Sequence, residues 1–324
     1  MKPTSSRGLN SDSYPTQIDY PRLIVRDFGA LGFLTQDLDA LVTIHRLLYS
    51  QQTFDAFKHA TLAPLPFQND IFESSKKLTI GYCYSDEVMK TIPAMKRAIE
   101  ESKQKLERMG HRLVEWHAPN WREAFLLYLK ALTIDGTVNV IRQIKDDVEI
   151  CNQNKLSIRA SIVPHWMKCL AAYFARFYIG DFPADALRSV RKGDHPHDAN
   201  IEYLGVVNYR KMFAQKFQES KLDALLWPSF ACPALPLDAP KDALAALSYT
   251  VLFNLLDWPA GVCPVTEVTE EDEKQMINYP EHDIFHRVVK KYSSSETIGL
   301  PVGVQIAAPR YQEELILRIM QELD

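Results

Sequence analysis

The residues able to do chemistry are few and scattered in these 324 residues. Serine pairs stand at Ser5-Ser6 and Ser74-Ser75, with a run at Ser293-Ser294-Ser295. None is flanked by the glycines that let backbone amides converge on an oxyanion, and no GxSxG turn occurs. Solvated loop serines are the expectation for all three. Glycine totals 12 residues, about half its usual share of roughly 7%. That argues against a glycine-rich nucleophile or phosphate loop. His195-Pro196-His197 places two imidazoles two residues apart, but they would not share a helix face and no companion ligands adjoin them, so no metal is expected. Glu270-Glu271-Asp272-Glu273 lacks the alternation and turn glycine of a calcium loop and is expected to be a solvated helix N-terminus, where the helix dipole favours carboxylates. Cysteines 83, 151, 169, 232 and 263 form no CxxC pair, as in a reducing compartment. A net charge of −4 gives no electrostatic reason for a nucleic-acid partner.

The elements that would position such residues follow from periodicity. Thr35–Tyr49 carries Leu38, Leu41, Val42 and Leu48 at helical spacing, with Asp37 and Asp39 expected in its first turn. Residues 78–82 predict a buried strand. Ile92, Met95, Ile99, Leu106 and Met109 line one helix face that Gly110 ends, and 113–116 predict a second strand. Strand, helix, strand is the unit of an α/β domain. The pattern returns as a helix over 206–221 with a strand at 224–228, a helix over 243–256 with a strand at 262–266, and a strand at 302–307 with a helix over 312–323. Proline-broken residues 1–30 are expected to be irregular.

Residues 164–192 admit two readings. Trp166, Met167, Leu170, Phe174, Phe177 and Tyr178 would suit a buried core helix. With Arg188, Arg191 and Lys192 they would equally suit a helix pair lying in a lipid interface. The clustering of aromatics with cations favours the second. No stretch reaches the length of a spanning helix, about 18 apolar residues.

Several segments together resemble the fatty acid amide hydrolase branch of the amidase signature family. Lys2-Pro3-Thr4 resembles a Leu-Lys-Pro-Thr motif, and 32–41 a Gly-Pro-x-Ala-Arg-Asp segment, departing from it at Phe33, Thr35 and Gln36. Pro93–Ala98 and Leu222–Pro228 are similar to the family's helix and strand. The fullest match runs from Ser248-Tyr249-Thr250 through Asn254, Asp257 and Pro259-Ala260-Gly261, then Gly299-Leu300-Pro301-Val302 and Gln312-Glu313-Glu314-Leu315.

The resemblance implies an α/β fold, a mixed sheet flanked by helices with a helical membrane cap. Residues 31–324 would be a partial amidase domain with its cap at about 160–192. It implies hydrolysis of lipid amides at a membrane surface by a serine nucleophile, a relay serine and a lysine base, without cofactor or metal. Those three residues precede Lys-Pro-Thr in the family, so it places no catalytic residue in this chain. It does imply an acyl tunnel lined by Leu132, Thr133, Leu247, Val251, Ile284 and Phe285, with Leu187 and Val190 near its mouth. A homodimer and a peripheral place on intracellular endomembranes, or in the cytoplasm, are the implied setting. The alternative is a non-catalytic lipid-binding or dimerising relative. Because lost sheet strands would bare edges and an apolar face, residues 1–324 expressed alone are expected to be poorly soluble. Recovery of most of the expressed chain in the soluble fraction would contradict this.

Overall fold

The computed structural model describes residues 1–7, 28–56, 63–86, 88–134, 163–191, 196–236 and 247–324. The helix expected at Thr35 begins at α1 (Leu38–Leu48), because Asp37 takes the N-cap position and accepts the Ala40 amide at 2.6 Å. Two short helices follow, α2 (Gln51–Ala56) and α3 (Asn69–Phe72). The expected α/β unit is present as β1 (Thr79–Tyr82), α4 (Pro93–Arg108) and β2 (Arg112–Glu115), with β1 and β2 parallel. Proline opens α4, where no intrahelical donor is lost. Gly110 ends it with φ near +90°, a conformation L side chains resist.

The chain continues through α5 (Trp121–Thr133), α6 (His165–Ile179), α7 (Asp181–Ser189) and α8 (Pro196–Glu219) to β3 (Ala224–Pro228). Then come α9 (Ser248–Leu256), β4 (Ala260–Glu267), α10 (Glu270–Gln275), α11 (Ile284–Ser293), β5 (Pro301–Ala307) and α12 (Glu313–Leu323). Among the described residues, five strands form one mixed sheet in the order β2-β1-β3-β5-β4. β3 joins β1 in parallel, and β5 runs antiparallel to both β3 and β4. This is the expected mixed sheet flanked by helices. All five residues of β3 are buried, as in a strand covered on both faces. Trp227 of β3 stacks on Trp121 at 4.9 Å between ring centres.

Residues 1–7 are irregular and built into the core: Lys2 bridges Ala260 of β4, and Arg7 is fully enclosed. Two expectations need correction. Ser5 is buried, its amide bonding Asp257 Oδ1 at 2.8 Å, and Ser293 is buried at the end of α11, so neither is a solvated loop serine. The acidic run does start α10, with Glu270 and Glu271 exposed as expected, but Asp272 closes a capping box with Thr269, meets Arg97 at 2.8 Å and is buried. The remainder of the 1–30 segment, apart from 28–30, lies outside the described residues, as does His195.

Buried thiols give the fold an alkaline limit. Burial pushes Cys232 and Cys263 up to about 12 and raises Cys83 well above its ordinary value. Their full contribution is present below about pH 9. Above it the unfolded chain releases protons that the fold retains, costing about 1.4 kcal/mol per pH unit per thiol. Lys2 acts oppositely: burial depresses it to about 8, so between 8 and about 10.4 the unfolded chain binds more protons and stability rises. Three thiols outweigh one amine. Calorimetry from pH 8 to 10 should show the melting temperature falling once pH passes 9. A Cys83→Ala, Cys232→Ala, Cys263→Ala variant should lose that downward slope, whatever its absolute stability.

Candidate ligand-binding cleft

β3 ends at Pro228, and the chain leaves the sheet as Ser229-Phe230-Ala231-Cys232-Pro233. Ser229 Oγ donates to the Gly303 carbonyl on β5 at 2.8 Å, and the Ile92 amide donates to the Ala231 carbonyl at 3.0 Å. These bonds hold the segment open against the sheet. The result is a cleft of about 450 Å³ lined by Met95, Phe230, Cys232, Leu235, Leu247 and their neighbours. Its walls are apolar, and the Ser229 hydroxyl proton is already committed. The Cys232 thiol, pushed up to about 12 by burial, stays protonated at neutral pH. No side chain of this lining is an ionised base or an activated nucleophile. The arrangement suits an apolar group and supplies no bond-breaking chemistry.

Behind Leu247 lies a buried polar network. Ser248 Oγ donates to Asp86 Oδ2 at 2.5 Å, while Asp86 Oδ1 accepts the amides of Val88 and Met89 at 2.8 and 2.5 Å. The Tyr249 hydroxyl donates to the Met89 carbonyl and accepts the Asp86 amide at 3.1 Å. Burial holds the Tyr249 phenol protonated, well above its ordinary range. Gln305 of β5 donates to the Tyr249 carbonyl at 3.2 Å. The start of α9 is thereby fixed to both the 83–92 loop and the sheet.

The eight expected tunnel positions separate. Leu247 lines the cleft, and Val251 is buried one turn along α9. Thr133 ends α5, buried, its hydroxyl donating to the Leu129 carbonyl and accepting the Arg191 amide at 3.3 Å. That contact brings Leu132 and Thr133 beside the end of α7, where Leu187 and Val190 are half-buried. Ile284 and Phe285 open α11; Ile284 is at the surface, and Phe285 meets Phe182 of α7 at 6.3 Å. Of these positions only Leu247 faces the cleft. The loop Ser229–Leu235 was not singled out from sequence. Its one signal was a proline-stopped buried strand, whose C-terminal end is where α/β folds place their ligands.

The expected cap is an inverted helix. α6 buries Lys168 and Ala172 and leaves Trp166, Met167, Leu170, Phe174, Phe177 and Tyr178 exposed, Phe177 at 93%. Gly180 turns the chain into α7 with φ near +100°, and a Cβ there would lie 2.4 Å from that of Asp283. Arg287 Nη2 donates to the Tyr178 carbonyl at 2.7 Å. The α6–α7 elbow is therefore seated on α11. No described helix is long and apolar enough to cross a membrane.

At that seat the ligand-type atoms of His282, Asp283 and His286 lie within 4.8 Å of one another. His286 Nδ1 is 2.8 Å from Asp283 Oδ1, and its Nε2 accepts the Lys90 amide at 3.2 Å. An imidazole accepting at Nε2 carries its proton on Nδ1. Both nitrogens are thus engaged, and a cation would have to displace one of these bonds.

The Amidase family profile matches residues 24–317. The chain is 36% identical over 299 residues to Fatty-acid amide hydrolase 1 of Sus scrofa, covering 91% of this chain and 50% of that protein. It is 31% identical over 294 residues to Fatty acid amide hydrolase 1 of Caenorhabditis elegans, again covering 90% and 50%. The chain thus spans about half the length of these curated relatives. A solved fatty acid amide hydrolase superposes with a TM-score of 0.65 at 19% identity, over 89% of this chain and 47% of that one. The 6-aminohexanoate cyclic dimer hydrolase complexed with substrate superposes at 0.62 and 16%, over 99% and 59%. With the profile spanning most of the sequence and relatives above 30% identical over nine-tenths of it, the chain belongs to the amidase signature family, with its strong matches among the fatty acid amide hydrolases.

Proposed function

We propose that residues 1–324 serve the hydrolysis of lipid amides as the acyl-holding and membrane-facing portion of the catalytic unit. The Ser–Ser–Lys chemistry comes from sequence outside this chain, and residues 1–324 alone bind without turnover. The observation that carries this reading is the inverted burial of α6. A helix in water does not expose Phe177, Tyr178, Phe174 and Trp166 while enclosing a lysine unless another apolar phase covers it. A lipid surface meets that requirement and is the phase from which an amphiphilic substrate arrives. The apolar cleft suits the acyl chain. In this reading the protein sits peripherally on an intracellular membrane.

A second reading has support in the cleft itself, whose lining offers no base or nucleophile: a non-catalytic lipid-binding or homodimeric relative. The transcript upstream of Met1 separates the two. An in-frame Gly-Ser-rich exon agrees with the hydrolase reading, and an in-frame stop directly before Met1 contradicts it.

Vesicle binding follows from the exposed row. The purified chain should co-sediment with phosphatidylcholine–phosphatidylserine vesicles. Phe174→Glu with Phe177→Glu should weaken this at least about tenfold, near 1.4 kcal/mol, while leaving the melting temperature unchanged because both side chains are exposed. Unaltered sedimentation would remove the membrane role. The cleft makes its own prediction. Leu247→Trp fills it, and should lower the affinity for a fluorescent long-chain fatty amide about tenfold in a fluorescence titration. A fluorophosphonate probe should leave residues 1–324 unlabelled; labelling would contradict the assignment of the nucleophile to another segment.

A further inference from the structure

The joint beneath the α6–α7 elbow contains an arrangement that the cleft and the aromatic row do not explain. His286 stands between two elements. On one side its Nδ1–H donates to Asp283, the N-cap of α11, whose Oδ1 also accepts the His286 amide at 2.8 Å. On the other its Nε2 is the acceptor for the Lys90 amide, in the loop that carries Asp86. Only a neutral ring with its proton on Nδ1 satisfies both partners.

The groups facing this ring are His282, tilted against it with 4.0 Å between ring centres, Asp283, and Tyr279 at 5.9 Å. The Tyr279 hydroxyl donates to the Lys90 carbonyl at 2.5 Å, a second tie to the same loop. Lys90 presents its amide from the loop. Farther out are Asp86, Cys232, Arg287 and the Arg176–Asp181 pair of the elbow. Burial alone would raise the Asp283 carboxyl, but hydrogen bonds from the His286 ring and amide outweigh it and hold it below the ordinary carboxylate range. Asp283 is therefore an anion at neutral and mildly acidic pH. Burial, the neighbouring His286 and, more weakly, the Lys90 ammonium lower His282.

We propose that His286 is an acid-triggered release between α11, which seats the aromatic elbow, and the 83–92 loop behind the cleft. When neutral, the ring ties the two together. The added proton strengthens the bond to Asp283 and puts an N–H on Nε2, directly opposite the Lys90 N–H. Two donors then face each other, and a buried amide loses its acceptor. Acid therefore keeps α11 capped and the elbow on Asp283, and removes one of the two ties to the loop that anchors Ser248 and Tyr249, leaving the Tyr279 bond to the Lys90 carbonyl. This inference concerns the joint alone and stands whether or not a lipid amide is the ligand.

Amide hydrogen exchange on residues 1–324, resolved to single residues and corrected for the intrinsic pH dependence of exchange, tests it. From pH 7.5 to 5.0 the Lys90 amide should lose at least about tenfold in protection, while the core amides of β3 keep theirs. His286→Gln keeps an acceptor for Lys90 and cannot titrate, so its protection should not change with pH; His282→Ala should behave as wild type. Equal wild-type protection at both pH values, or the same loss in His286→Gln, would overturn the proposal. Independently of the variants, nitrogen-15 shifts of the wild-type His286 ring should show the proton on Nδ1 at pH 7.5. The opposite tautomer, or a ring that moves to a metal-bound signature on adding zinc ion at micromolar levels, would overturn it as well.

Discussion

Arg7 is the constraint from which the rest of the arrangement follows. Its guanidinium is enclosed between Glu313 and Glu314, each at 2.5 Å, and lies over the Tyr49 ring at 3.9 Å. Two adjacent carboxylates in the first turn of a buried helix are tolerable only with a cation and further donors between them. Thr4 and Gln68 supply amides to the same pair at 2.8 and 3.0 Å. Removing either side would strand buried charge, at a cost of about 3–5 kcal/mol. The charge thus ties residues 1–7, α1, the 63–68 segment and α12 into one unit. α12 in turn lies against β4, where Gly261 lacks the Cβ that would come within 2.4 Å of Met320 Sδ.

With α12 and β4 fixed, β5 is fixed by register, and with it the cleft. Val304 pairs with Pro228 and Gln305 with Trp227, which brings Gly303 under Ser229 and Gln305 against Tyr249. The loop after β3 and the start of α9 therefore take their positions from the same strand. α11 depends on this body at one side and holds the α6–α7 elbow at the other. The exposed aromatic row is joined to the cleft wall through a short series of buried contacts: Gly180 on Asp283, Asp283 on His286, His286 on Lys90, and the Asp86–Ser248 bond.

The sheet was legible wherever one periodicity dominated. Residues 78–116 alternate between strand and helix patterns with a proline start and a glycine stop, and each signal matched the element found. α6 was not legible in the same way. Apolar residues occupy every face of 165–179, so periodicity cannot choose a buried side, and the enclosed Lys168 inverts what composition alone would rank. The cleft escaped because Met95 of α4 carries the periodic signal in its lining, while the rest is a loop, one residue before α9 and two strand positions. The burial of Ser5 and Ser293 depends on Asp257 and on the packing of α11, partners distant in sequence. Of the positions the resemblance implies, Leu247 borders the cleft and Val251 is buried in α9, while the other six lie along the α5–α7 and α11 side.

The Ser229–Leu235 cleft is the proposed holder of the apolar part of a lipid amide. Photolabelling tests it most directly, using a fatty amide that carries an aliphatic diazirine, irradiated with residues 1–324 and mapped by peptide mass spectrometry. The account predicts adducts on Phe230, Leu235, Leu247 and Met95, competed away by excess unlabelled amide. Adducts confined to the exposed face of α6, or adducts that excess amide does not compete, would contradict it.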